Sequence, residues 1–114
     1  MKLKQILNVP GVVGVLTFSP KGELNDYRGN ITADQARMAA HMCYSNSSLM
    51  QMQGRLFSDY SRQPEWKNFE SWAMFGPELG IYVSGDTACF LNRSEASFNQ
   101  VSQVVNSLAH PLEK

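Results

Sequence analysis

The sequence predicts an α+β fold of α/β/α layers, a five-stranded, mainly antiparallel sheet with a long helix on one face and two shorter helices on the other. Three observations lead to this prediction. The segments follow the order helix, strand, strand, long helix, three strands, helix. The first, fourth and fifth strand segments are apolar without regular alternation, as in strands covered on both faces. The stretch 33–60 contains no proline and predicts one long helix.

Composition limits the classes of protein to which this chain can belong. A chain of 114 residues buries one core, so residues 1–114 are expected to form one domain. Ten Lys and Arg balance ten Asp and Glu without charge runs, which argues against a nucleic-acid partner. The apolar stretch near the N-terminus is too short for a signal peptide or a membrane span. These features predict a cytoplasmic protein that is not inserted in a membrane.

The first half of the chain predicts a hairpin. Residues 2–8 have helical spacing, and 12–18 form an apolar, β-branched strand. Ser-Pro-Lys-Gly at 19–22 fits a type I turn before a polar edge strand at 23–29. A phosphate-binding loop needs glycines between a strand and a helix, and here the next element is another strand. The charged tip of this edge, residues 26–28, is either a docking surface or a solvated strand edge.

The long helix carries more apolar surface than one side can bury. Thr32 and Gln35 have the spacing of a capping box, which places its start at Ala33. The apolar positions are Ala36, Met38, Ala39, Ala40, Met42, Cys43, Leu49, Met50, Met52, Leu56 and Phe57. Since this stripe is too wide for one-sided burial, part of it is expected to meet a second chain.

The second half predicts three strands and a final helix. Strand segments cover 69–75, 79–85 and 87–91, with Gly85 and Asp86 as a two-residue turn. Large groups lie on both faces of the first segment: Phe69, Ala73 and Phe75 on one, Trp72 and Met74 on the other. An edge this apolar invites pairing with another strand. Helical spacing then predicts a helix over 95–109, with Pro111 after its end.

Five segments together resemble the roadblock, or dynein light-chain-like, superfamily, and within it a small prokaryotic branch of uncharacterised proteins. They are the end of the first helix VPGVVGV, the hairpin FSPKGELNDYRG, the helix segment ARMAAHMCYSNSSLMQMQG, the strand FESWAMFG and the terminal FNQV. The resemblance covers nearly the whole chain and implies a roadblock/profilin-like fold. It also implies a two-fold homodimer in which the third strands pair edge to edge, giving a ten-stranded sheet, and the long helices pack across the axis.

The resemblance further implies a non-enzymatic scaffold or regulatory protein without a cofactor. Members of the superfamily mostly act as adaptors or regulators, often of small Ras-like GTPases, or as scaffold subunits. No residue here matches a motif for a GTPase contact, so the partner is not identified. The expected dimer interface combines the long helix and the third strand, with Trp72 and Phe75 as aromatic anchors. Its residues are Met42, Leu49, Met50, Trp72, Met74 and Phe75.

Two alternatives to a scaffold remain open at this point. One is a small-ligand sensor with an apolar pocket lined by Met and Trp between the long helix and the sheet. The other is a thiol or metal protein that uses Cys43, with Met38, His41, Met42 and Met74 as further ligands of a soft metal. Consecutive helical residues point about 100° apart, so His41, Met42 and Cys43 do not converge on one ion, and no metal site is predicted. Cys43 and Cys89 are expected to be buried, and a disulfide between them is left open.

Overall fold

The computed structural model describes residues 2–67 and 69–111. Its elements are α1 (Lys2–Leu7), β1 (Val12–Phe18), β2 (Leu24–Gly29), α2 (Ala33–Ser61), a short 3-10 helix (Pro64–Lys67), β3 (Ser71–Phe75), β4 (Leu79–Ser84), β5 (Thr87–Asn92) and α3 (Phe98–Leu108). The element order confirms the order that the sequence predicts.

The five strands form one antiparallel sheet in the order β2-β1-β5-β4-β3. The first, fourth and fifth strands are therefore the central ones, as their apolar composition predicts. β2 and β3 are the two edges. The α+β fold with layers on both faces of the sheet is confirmed.

The sheet separates two apolar cores. On one face, α1 and α3 cover side chains that include Val15 and Leu91. On the other face, the N-terminal half of α2 covers Leu16 and Val83. The two cysteines are free and belong to different cores, Cys43 to the α2 side and Cys89 to the opposite side. Since the sheet lies between them, the disulfide that the sequence left open does not form.

The turn between β1 and β2 has the predicted geometry. The Gly22 N–H donates to the Ser19 carbonyl at 2.9 Å, and Gly22 adopts φ +79°. The Ser19 hydroxyl also accepts from the N–H groups of Lys21 and Glu23. A side chain at Gly22 would meet the Tyr44 ring on α2 at 3.0 Å, so the turn also sets the approach of the long helix.

The turn between β4 and β5 contacts both the first helix and the segment after the last one. The Asp86 carboxylate accepts from Lys2 Nζ at 3.0 Å, from the Thr87 hydroxyl at 2.8 Å and from the His110 N–H at 3.0 Å. The Asp86 N–H donates to the His110 carbonyl. One residue therefore joins α1, β5 and the segment after α3.

The helices α2 and α3 both begin at polar capping residues. The Thr32 hydroxyl accepts from the Gln35 N–H, and the Gln35 side chain accepts from the Thr32 N–H, so the predicted capping box is present. The predicted start of the last helix at residue 95 is wrong by three residues. Asn92 accepts from the N–H groups of Ser94 and Ala96, which holds this segment as a turn, and Ser97 then caps α3.

We predict that Gly22→Ala lowers the free energy of unfolding by about 1–3 kcal/mol, because a Cβ disfavours positive φ and presses on Tyr44. Gly76→Ala is the matched control, since its Cβ would meet only the Leu79 carbonyl at 3.5 Å. Urea denaturation at one fixed protein concentration measures both variants. Equal stability of the two variants would contradict this account of the turn.

We predict a second loss of stability for Asp86→Ala, again about 1–3 kcal/mol, because three donors lose a partly buried acceptor. The control is Asp59→Ala, which removes an exposed carboxylate near the end of α2 and should change stability by about 0.5 kcal/mol or less. If Asp86→Ala and Asp59→Ala unfold at the same urea concentration, the Asp86 contacts do not stabilise the fold.

Candidate interaction surface

The two edges of the sheet differ in chemistry. On β2, Asp26 and Arg28 form an ion pair at 2.7 Å, and the strand is polar. On β3, Ala73, Met74 and Phe75 are exposed, with 63% of Met74 accessible. Charged side chains on an edge strand discourage pairing with another chain, whereas an apolar edge favours it. β3 is therefore the edge suited to a partner, and β2 has the character of a solvated edge.

The long helix α2 buries small residues and exposes large ones. Its core face carries Ala36, Ala40, Cys43, Ser47, Gly54 and Ser58. The opposite face carries the residues that we call the outer stripe: Met38, Met42, Ser45, Leu49, Met52 and Leu56. At about 100° per residue, the six stripe positions fall within about 80° of arc, almost diametrically opposite the core face. This arrangement reverses that of an ordinary surface helix, whose large apolar side chains point to the core.

The outer stripe contains two of the residues predicted for the dimer interface and three large apolar residues outside that prediction. Met42 and Leu49, which were predicted for the dimer interface, lie on the stripe and are 59% and 47% exposed. Met38, Met52 and Leu56 are exposed on the same face and were not chosen. The sequence contains a pattern that places these three residues on one face, because the stripe positions alternate by four and three residues, the spacing of the contact positions in a coiled coil.

Trp72 and Met50 are less exposed than residues of a dimer interface are expected to be in a single chain. The Trp72 indole N–H donates to the Ser47 hydroxyl of α2 at 2.8 Å, and the ring packs against the core under α2. Met50 is half-buried and receives a weak contact from Asn46 at 3.8 Å. Trp72 thus has an intramolecular partner that its position in the strand did not reveal.

Phe75 lies on the opposite face of the sheet from Trp72. Its ring packs edge-on against Phe98 with centroids 5.4 Å apart, and Arg93 lies 5.1 Å above it. It also covers Gly80, where a Cβ would meet the ring at 2.6 Å. Of the six predicted interface residues, Met74 therefore lies on the β3 edge, and Met42 and Leu49 lie on the outer stripe. Trp72 and Phe75 pack against other side chains of the same chain, and Met50 is half-buried. Phe69, expected on the Phe75 face, instead lies near Gly54 of α2, because β3 begins two residues after it.

Cys43 does not have the surroundings of a reactive thiol. It is 3% exposed, and burial raises its pKa to about 12. Reactive cysteines need the opposite, a depressed pKa with access to solvent. His41 is exposed and Met42 points outward, so the two do not share a site with Cys43. Residues 2–67 and 69–111 contain no group of three His, Cys, Asp or Glu side chains placed to hold a metal ion.

Two cavities lie beside α2. The larger, about 1020 Å³, is lined by both polar and apolar side chains, among them Lys21, Tyr44, Gln51 and Phe69. The smaller, about 360 Å³, lies between α2 and the 3-10 helix and is lined by Met50, Phe57, Trp66 and Phe69, among others. A Met and a Trp thus line a cavity between α2 and the 3-10 helix, whereas the pocket was predicted between α2 and the sheet, and the Trp is Trp66 and not Trp72.

Within the described ranges, no helix combines the length and the apolar character needed to span a membrane. A comparison with curated proteins gives no match. Solved structures of low sequence identity do match, and they are informative about the fold alone.

Three solved structures illustrate this similarity. The Roadblock/LC7 domain from Streptomyces avermitilis is 16% identical, with a TM-score of 0.75 over 94% of this chain and 88% of that one. The gliding protein MglB from Thermus thermophilus is 16% identical, with a TM-score of 0.76 over 94% and 79%. A structure of MglB with tetrameric arrangement is 17% identical, with a TM-score of 0.78 over 96% and 80%.

These similarities confirm the roadblock-like fold that the sequence resemblance implies. At the level of sequence, residues 2–107 match the family described as "Uncharacterized conserved protein (DUF2173)". The match spans nearly the whole chain, and the protein belongs to this family.

Proposed function

We propose that this protein is a non-enzymatic, homodimeric scaffold or regulatory protein of the cytoplasm, in which the β3 strands of two copies pair edge to edge. The observation that carries the proposal is the contrast between the two sheet edges. β2 is polar and carries an ion pair. β3 exposes Met74 and, in the described part of the chain, has no strand on its outer side. Pairing two β3 strands would satisfy the outward backbone groups and cover Met74.

The symmetry of this pairing determines where the helices lie. Two identical edges that pair antiparallel are related by a two-fold axis perpendicular to the sheet. Both copies then form one ten-stranded sheet, with both α2 helices on the same face and side by side. The half-buried Met50 and the start of β3 lie near the flank at which the helices would approach each other.

The proposal assigns the protein a role in binding and no catalytic step. Its two thiols are buried, and burial raises the pKa of each to about 12. The partner that we propose is a small Ras-like GTPase, on the basis of the superfamily resemblance of the sequence. A ligand pocket at Met50 and Trp66 is the second candidate, favoured by the apolar lining of the smaller cavity.

We predict that the wild type has twice the mass of the 12.8 kDa chain at low micromolar concentration, and that Met74→Lys is monomeric. A lysine on an edge strand must be desolvated if another strand pairs there. Met74 is a better site for this substitution than Trp72 or Phe75, because those two side chains have partners within the chain. Gln103→Lys, on the exposed face of α3, is the charge-matched control.

Light scattering gives the masses, and circular dichroism confirms that each variant is folded. A folded Met74→Lys protein with the wild-type mass would exclude β3 as the dimer edge. A monomeric wild type would exclude the dimer itself.

We predict that the dimer binds a Ras-like GTPase from the same organism in one nucleotide state more tightly than in the other. Calorimetry with the GTPase loaded with GDP or with a non-hydrolysable GTP analogue measures this preference. A protein that binds one of the two conformations of the GTPase more tightly shifts the equilibrium towards that conformation, and this is how a regulator acts. No heat of binding in either state would reject the GTPase as partner and would leave the dimer proposal to its own test.

A further inference from the structure

The larger cavity beside α2 is bounded by segments that hydrogen bonds hold in place. The turn after β1 lies next to the turn after β4, since the Phe18 N–H donates to the Asp86 carbonyl at 2.9 Å. The Asp86 N–H donates to the His110 carbonyl at 2.9 Å. Gly85 permits this close approach, because a Cβ there would collide with the His110 carbonyl. The cavity is therefore preformed, and its volume of about 1020 Å³ is sufficient for a small organic ligand.

One flank of α2 supplies a polar wall of this cavity. Tyr44, Ser47, Ser48 and Gln51 line it, and their spacing of i, i+3, i+4 and i+7 places them on one side of the helix. At about 100° per residue, this side lies between the core face and the outer stripe. Its hydroxyl and amide groups are therefore available to a ligand in the cavity.

Two polar side chains of the lining are oriented as hydrogen-bond donors. The Ser47 hydroxyl accepts from the Trp72 indole N–H at 2.8 Å, so its own proton points away from the indole. Across the cavity, the Asn106 Oδ1 accepts from the Tyr82 hydroxyl at 2.7 Å, which leaves the amide NH₂ group to donate. Such an arrangement favours a ligand that is rich in acceptor oxygens.

The charged side chains of the lining have a positive excess. Lys21 and Lys67 face the cavity together with one carboxylate, that of Glu70, and His110 adds positive charge when it is protonated. Among residues 2–67 and 69–111, none of these four side chains forms an ion pair. Two ammonium groups against one carboxylate attract an anion, and lysine is a common phosphate-binding residue. The Glu70 carboxylate can accept hydrogen bonds from ligand hydroxyl groups.

The lining also offers aromatic surface. Tyr44 of α2 and Phe69, two residues before β3, both line the cavity and are half-buried. Aromatic side chains bind flat rings by stacking, and nucleic-acid bases stack on them whatever their sequence. The cavity thus combines cations, oriented donors and aromatic rings.

We propose that this cavity binds a nucleoside monophosphate. The two lysines contact the phosphate, the Ser47 and Asn106 donors contact oxygens of the phosphate and the sugar, and the two aromatic side chains contact the base. The site is separate from the smaller cavity beside the 3-10 helix. It also does not depend on pairing of the β3 strands, so a failure of the dimer proposal leaves it standing.

Titration calorimetry of the wild type at pH 7 tests the ligand class. At least one of the probes AMP and GMP should bind with a Kd below about 1 mM. Ribose 5-phosphate lacks the base, and the corresponding nucleoside lacks the phosphate, so each should bind about tenfold or more weakly than that nucleotide.

Variants of the lining test the location. The double variant Lys21→Gln and Lys67→Gln should weaken binding of the nucleotide by about tenfold or more, because both phosphate contacts lose their charge. Lys4→Gln, which removes an exposed cation on α1 outside the cavity, is the matched control and should bind as the wild type.

A second pair of variants places a carboxylate on α2. Ser48→Glu should abolish binding, since the new charge repels the phosphate from the cavity wall. Ser45→Glu makes the same change on the outer stripe, outside the lining, and should retain the wild-type affinity. Circular dichroism confirms that each variant is folded.

Three outcomes would overturn the proposal. The first is no heat of binding with either nucleotide at millimolar concentration. The second is a nucleoside or ribose 5-phosphate that binds as tightly as the nucleotide, which would exclude recognition of the phosphate or of the base. The third is a folded double lysine variant, or a folded Ser48→Glu protein, with the wild-type affinity, which would place the bound nucleotide elsewhere.

Discussion

The close approach of α2 to the sheet is the constraint from which the other surface features follow. Ala36, Ala40 and Cys43 face the sheet, and Gly54 lies against the backbone of the 3-10 helix, where a Cβ would meet the Trp66 carbonyl at 2.5 Å. Only small side chains fit on this face. The large apolar side chains of the helix are therefore on the outside, where they gain nothing from the monomer's core and are available to a partner.

The same sheet has one protected edge and one open edge. The β2 edge is polar and carries charged side chains, whereas the β3 edge, SWAMF, carries none. The apolar strand edge lies in the plane of the sheet, and the apolar helix face lies above it. These two exposed apolar surfaces therefore point in different directions.

The sequence predicted the features that depend on local chemistry. Gly22, Gly85 and the Thr32–Gln35 pair lie where turn geometry and capping require them. It predicted the central strands as well, because burial on both faces leaves a continuous apolar pattern. It did not predict contacts between distant segments. The Ser47 partner of Trp72 is 25 residues away, and Phe98 packs against Phe75 on the other face of the sheet. The prediction of α3 failed at its start for a related reason, since Asn92 competes with the helix for the N–H groups that follow it.

Hydrogen exchange at the backbone amides of β3 tests the central claim most directly. In an edge strand, alternate N–H groups point away from the neighbouring strand, and those of Ser71–Phe75 that do not pair with β4 are exposed in the monomer. If two β3 strands pair, every amide in the centre of the strand should be protected, and protection should fall on dilution or in Met74→Lys. Rapid exchange of the outward amides at a concentration where the protein is dimeric would contradict the account, because the dimer would then form without this edge.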